Sequence, residues 1–150
     1  MPLYFAYGSN MDRDMMARRC PRSKAVGPAR LARHRLAVMP EGWLTVVAAP
    51  GGAVHGLLWD LALADVPALD RYERVASSLY VKRFEPVLAA HGARRALVYR
   101  GAVAGTAVAN PSYLAEVIAA ARAAGLPPGG LAALEALCER PARRSAAEGP

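Results

Sequence analysis

The sequence predicts an α+β fold built on a curved, barrel-like sheet. Strand-type runs come first along the chain and helix patterns last, with one short helix set between strands, an order that disfavours a doubly wound parallel sheet. The length, 150 residues, suits a single compact domain, which we place at 1–140 with a short polar tail over 141–150. A chain of this size buries roughly two-thirds of its unfolded surface, so it needs no disulfide or metal to hold it.

Leu3-Tyr4-Phe5-Ala6-Tyr7 is a β-rich opening run that stops at the turn cluster Gly8-Ser9-Asn10. Ser9 or Asn10 fits the N-cap of a short helix from Met11 to about Arg19, ended by Cys20-Pro21. A basic segment, Ala25 to Val38, holds a strand around Leu31 to Met39. Leu44–Ala48 and His55–Trp59 flank Pro50-Gly51-Gly52 and read as a hairpin with a loose turn. Asp65 then suits an N-cap and Pro67 a first helical turn, where its missing N–H costs little. Strands follow at Tyr80–Leu88 and Arg95–Tyr99. Two alanine- and leucine-rich helices, Ser112–Ala124 and Gly130–Glu139, are split by Gly125-Leu126-Pro127-Pro128-Gly129.

Composition narrows the function classes. The chain is 54% hydrophobic and 21% charged, as soluble globular proteins are, and no run of ~18 apolar residues escapes interruption by a charge or a breaker. Met1 to Tyr7 lacks the basic lead of a secretory signal, which predicts a cytoplasmic protein. Cys20 and Cys138 stand far apart, and His34, His55 and His91 are scattered. Neither set has metal-ligand spacing, so free thiols and no metal are expected. The net charge of +7 suits an anionic small molecule as well as nucleic acid, but no run interleaves aromatics with Lys and Arg as a nucleic-acid face does.

Two features can carry chemistry. In Tyr7-Gly8-Ser9-Asn10-Met11, glycine tolerates positive φ and lets a ligand approach the backbone, and successive N–H groups leading into a helix favour an anion. Ordinary turn and cap chemistry accounts for the same residues equally well. The second feature is Glu73. Val66, Leu69, Asp70 and Glu73 are spaced i, i+3, i+4, i+7, which sets Glu73 on or beside the apolar face of a short helix. Burial raises a carboxyl's pKa towards the range of a general base working near neutrality. A place at the face's edge, paired with an exposed arginine, is the competing reading, and Asp70 is open in the same way.

With these residues in place, the sequence resembles the γ-glutamyl cyclotransferases and their γ-glutamylamine cyclotransferase relatives. Leu3 to Met11 is similar to the family's substrate-binding signature, and Val54-His55-Gly56-Leu57-Leu58-Trp59 to its core strand. Leu69-Asp70-Arg71-Tyr72-Glu73, with Tyr80 seven residues after the glutamate, has the spacing of the family's catalytic Glu and a site tyrosine. Pro111-Ser112-Tyr113 and Gly125-Leu126-Pro127 resemble its late loop and helix, so the likeness reaches about residue 138. The resemblance departs at Arg74, where the family commonly has glycine, and this leaves the preferred substrate open.

The resemblance implies a small mixed β-barrel with flanking helices, a small γ-glutamyl substrate, no cofactor, and a monomer or homodimer that binds neither nucleic acid nor membrane. It implies Glu73 as general acid and base for an intramolecular aminolysis that yields 5-oxoproline. Tyr7, Gly8, Ser9, Asn10, Met11, Tyr80 and Tyr99 would bind substrate. A γ-glutamylamine-specific enzyme of a salvage or tailoring pathway, and a non-catalytic binding domain on the same fold, are the alternatives.

Overall fold

The structure is a computed structural model that describes residues 2–103 and 108–147, with 139–147 described by backbone alone. Five strands, β1 (Leu3–Ala6), β2 (Lys24–Val38), β3 (Leu44–Asp60), β4 (Tyr80–Ala89) and β5 (Gly92–Gly101), close a barrel in the order β1-β3-β2-β4-β5. Four helices flank it: α1 (Arg13–Arg19), α2 (Val66–Tyr72), α3 (Pro111–Ala123) and α4 (Pro128–Ala147). The α+β barrel expected from the sequence is the fold observed.

β1 explains its own composition. It runs antiparallel to β3, with Phe5 opposite Leu58, and closes the barrel by parallel pairing with β5, Tyr4 opposite Leu97. Side chains of both faces of β1 are covered, since the successive residues Tyr4, Phe5 and Ala6 are all buried, so the strand has no need of polar alternation. They join Leu57, Leu58, Val46, Leu31, Val87 and Val98 in one core, to which α3 adds Leu114, Val117 and Ala121.

The hairpin lies elsewhere than the glycines suggested. β3 runs without a break through Pro50-Gly51-Gly52, and its hairpin partner is β2, joined across Met39–Trp43. Ala32 faces Ala53 and His34 faces Ala48, so Arg33 alone opposes residues 49–52 in a bulge. A Cβ at Gly52 would stand 2.4 Å from the His34 carbonyl oxygen, so the glycine serves a close approach of two backbones.

Two caps also differ from expectation. Asp12, not Ser9 or Asn10, caps α1, accepting from the N–H groups of Asp14 (2.9 Å) and Met15 (3.1 Å). Residues Ser9–Met11 form a separate 3₁₀ turn. Asp65 makes no side-chain cap for α2, although Pro67 does occupy its first turn. The buried Asp65 carboxylate instead accepts from the Arg22 N–H (2.9 Å) and the Ser23 hydroxyl (2.8 Å), tying the end of the α1 loop to α2. The backbone of α4 continues to Ala147, past the start of the polar tail expected at 141–150, whose last three residues lie outside the described ones.

Candidate active site

A cavity of about 260 Å³ opens at one end of the barrel. Its lining brings the Gly8-Ser9-Asn10 turn together with Glu73, and adds the rings of Tyr7, Tyr80 and Tyr99. Met11 is not among the lining residues. The 3₁₀ turn directs it into the core, where it is fully buried.

The turn is held from below. The Trp59 indole donates to the Asn10 carbonyl oxygen at 3.1 Å, so the core strand β3 anchors the loop that follows β1. Met11 N–H donates to Gly8 O (3.1 Å) and Asp12 N–H to Ser9 O (3.0 Å). The N–H groups of Gly8, Ser9 and Asn10 precede these bonds, as the first donors of a helical turn do. Gly8 does not use positive φ (φ −118°, ψ −140°). Its lack of a side chain matters for space: a Cβ there would stand 3.1 Å from the Tyr113 hydroxyl.

Glu73 terminates α2. Its N–H still reaches Leu69 O at 3.0 Å, while its own φ and ψ (−81°, 1°) leave the helix. Arg74 then takes left-handed geometry, φ 52° and ψ 46°, so the chain reverses directly after the carboxylate. That is a helix-ending conformation in which glycine is favoured and any other L-residue is strained. Arg74 is exposed and borders the cavity.

The helical phase read from the sequence carries Glu73 inward. Burial pushes its carboxyl up to about 8, against the pull of the Arg19 guanidinium, which lowers it. Arg74, the neighbouring cation, is not the one that opposes burial. The Glu73 Oε1 accepts from the Asn10 side-chain amide at 3.4 Å, and the same Nδ2 donates to the Tyr4 hydroxyl at 3.0 Å. Arg19 donates to the Asn10 Oδ1 and lies 3.4 Å over the centre of the Tyr72 ring. The Tyr72 and Ser9 hydroxyls are 2.7 Å apart.

The three tyrosines named from the sequence line the cavity, but their hydroxyls are engaged away from Glu73. Tyr7 donates to the Tyr99 carbonyl oxygen (2.5 Å) and Tyr80 to the Leu44 carbonyl oxygen (2.7 Å). Tyr99 donates to Asp70 Oδ1 (2.5 Å), whose other oxygen pairs with Lys82 at 3.1 Å. Burial raises all three phenols, with the Glu73 charge adding to it, so they are neutral donors. Asp70, left open by the sequence, thus fastens α2 to β4 and β5.

Sequence reasoning missed Arg19 and Trp43 as members of this site, while Tyr4, Tyr72 and Tyr113 lay within the motifs that carry the resemblance without being singled out. Arg19 had one available signal, a cation in the last turn of a helix, which ordinary helix-dipole chemistry already explains. Tyr4 belongs to the run singled out, but its period-2 neighbours gave no sign of which hydroxyl meets Asn10.

Residues 4–114 match the family described as gamma-glutamyl cyclotransferase, AIG2-like. The gamma-glutamylcyclotransferases of Mus musculus and Bos taurus are each 34% identical to this chain over 89 residues, which is 53% of this chain and 47% of theirs. The chain therefore spans about half the length of the curated relatives it matches. A solved gamma-glutamyl cyclotransferase is similar with a TM-score of 0.84 at 27% identity, over 90% of this chain and 86% of that one. An uncharacterized protein from Homo sapiens follows at 0.82 and 27%, over 89% and 86%. Because the matched residues run from β1 through all five strands to the start of α3, and include both the turn and Glu73, the chain belongs to the gamma-glutamyl cyclotransferase, AIG2-like family.

Proposed function

We propose that this protein is a γ-glutamyl cyclotransferase, closing the γ-glutamyl unit of an amide onto itself and releasing 5-oxoproline with a free amine or amino acid. The observation that carries the reading is a Glu73 carboxyl raised to about 8 that lines one cavity together with the Gly8-Ser9-Asn10 turn.

The α-carboxylate of the glutamyl unit would bind the N–H groups of Gly8, Ser9 and Asn10, where a helical turn presents unpaired donors and partial positive charge. Its α-ammonium would then lie at Glu73. A carboxyl titrating near 8 is only about one-tenth ionised at pH 7, but an adjacent ammonium favours the carboxylate, so the arriving substrate primes the base. Glu73 takes a proton from the ammonium, and the free amine attacks the γ-carbonyl carbon. As the ring C–N bond forms and the original amide C–N bond breaks, Glu73 returns that proton to the departing nitrogen and relays to it the second proton shed by the ring nitrogen, so that the product is a neutral lactam and the amine leaves as an ammonium.

The chemistry asks little more of the protein. Nucleophile and electrophile belong to one molecule, so holding it folded supplies much of the acceleration as oriented proximity. Tyr7, Tyr80, Tyr99, Trp43 and Leu44 would surround the reacting amide, and any water they displace favours aminolysis over hydrolysis.

The test is a panel of γ-glutamyl amino acids and γ-glutamylamines assayed for 5-oxoproline, with wild type beside Glu73→Gln. Wild type is expected to turn over at least one class, and the preferred class identifies the leaving group. Glu73→Gln should retain the fold and still bind ligand, with KM raised by loss of the ammonium's partner, while losing ~10²–10⁴-fold in kcat. An unchanged rate removes Glu73 from the mechanism. Ligand binding with no turnover by wild type would instead favour a binding domain on this fold.

A further inference from the structure

We propose that Arg19 is a positioning residue for Glu73: stacked on Tyr72 and bonded to Asn10, it locks the Asn10 side-chain amide in the orientation that presents a donor to the carboxylate. The proposal rests on the reading of Glu73 as the group that moves the proton.

The orientation follows from donor and acceptor chemistry. A guanidinium has donors only, so the Asn10 oxygen must face Arg19. The amide nitrogen then points the other way and gives its two hydrogens to Tyr4 and Glu73. A flipped amide would set NH₂ against the guanidinium and oxygen against the Glu73 carboxylate, two repulsive contacts in place of two bonds, while the Tyr4 hydroxyl can bond either end. Asn10 is 2% exposed and its backbone is pinned by Trp59, and among the described residues its side chain bonds to Arg19, Tyr4 and Glu73. Arg19 is itself held on one face by the Tyr72 ring, whose hydroxyl meets Ser9. The last turn of α1 is thereby coupled to the end of α2 through the substrate turn.

The same residue acts through space. The titratable groups that feel the Glu73 charge are Tyr4 and Tyr7 from β1 and the turn after it, Tyr80 from β4, Tyr99 from β5 and Tyr113 from α3. All of these are phenols raised by burial and therefore uncharged. Tyr72 precedes the carboxylate on α2 and Arg74 follows it, exposed. Among the described residues, Arg19 is the cation whose charge offsets the burial of Glu73. Donation from Asn10 and the charge of Arg19 act in one direction: both favour the carboxylate.

Three variants separate these contributions. Arg19→Gln keeps a donor for Asn10 without charge, Arg19→Lys keeps charge without the planar stack, and Arg19→Met removes both. Two readouts are used: the Glu73 carboxyl titration followed by ¹³C NMR in the ligand-free protein, and kcat/KM against pH for 5-oxoproline release. In Arg19→Met the titration and the rising limb of the profile should both move up by about 1 pH unit. Activity should fall ~10-fold at pH 7 and return towards wild type in alkali, with Gln and Lys intermediate. An unmoved titration in folded Arg19→Met overturns the proposal, as does a loss that is uniform across pH. Should that variant fail to fold, Arg19→Gln carries the same test. A wild type inactive on every γ-glutamyl amide would defeat the cyclotransferase reading, while the NMR titration would still decide the role of Arg19.

Discussion

The two walls of the cavity are built on different principles. The barrel wall is aromatic, and its hydroxyls hold the scaffold: Tyr7 ties to the backbone of β5, Tyr80 to that of β3, and Tyr99 to Asp70. The opposite wall comes from short elements, the 3₁₀ turn and the ends of α1 and α2. There side chains meet side chains, Arg19 with Asn10 and Tyr72, Asn10 with Glu73, Ser9 with Tyr72. Strain collects on this side too. Of the three non-glycine residues with positive φ among the described residues, Arg74 and Ser78 flank the 3₁₀ turn Val75–Ser77 just after Glu73. The aromatic wall sets a low-polarity frame; the short-element wall carries the groups able to gain or lose a proton within it.

The strongest way to probe that division is the pH dependence of stability. Folded Glu73 titrates near 8, above its ordinary value of 4.5, so between those values the folded state holds a proton that the unfolded state has released. Wild-type stability should therefore fall relative to Glu73→Gln as pH rises from about 4.5 to about 8, and level off above. The difference is on the order of a few kcal/mol. Chemical denaturation at pH 4, 6 and 9 measures it, and parallel curves would mean that Glu73 is not buried as described.

The barrel wall can be tested by unfastening it. Tyr99→Phe removes a donor from the Asp70 carboxylate and should cost about 1.5–3 kcal/mol, whereas Tyr80→Phe removes a neutral hydrogen bond and should cost about 1 kcal/mol. Tyr99→Phe should also slow turnover, since Asp70 holds the helix that carries Glu73. Equal costs, with no change in rate, would make Asp70 a bystander.

The smallest effect has the opposite sign. Arg74→Gly relieves left-handed strain and should stabilise by about 0.5–1 kcal/mol, raising Tm by about 2–4 °C. A lower Tm would show that the Arg74 side chain makes contacts worth more than the strain.

Much of this arrangement was legible because local and global preferences agree. Leu3–Tyr7 is continuous and apolar since both faces of β1 are buried, and the Gly-Ser-Asn cluster after it does break the strand. Glu73 was placed by helical phase, which survives even though the residue itself lies at the helix end. Other signals were ambiguous. Pro50-Gly51-Gly52 marks a bulge rather than a turn, because glycine serves close approach and chain reversal alike. Asp12 outcompetes Ser9 and Asn10 as a cap, which frees Asn10 for the cavity and turns Met11 inward. Arg19 and Tyr72 come together only through tertiary closure, and no local pattern marks their pairing.

The parallel joint between β1 and β5 has a consequence for how the protein comes into being. β1 is made before both strands that flank it, and the second, β5, ends at Gly101. The turn that follows β1 therefore emerges early from the ribosome yet is clasped on both sides only after most of the barrel has been translated. Long-range closure of this kind is slow and exposes apolar strands in the meantime. A pulse-labelled chain should thus acquire amide protection in the β2–β3 hairpin before Tyr4 and Phe5, with the cavity forming as the last act of folding.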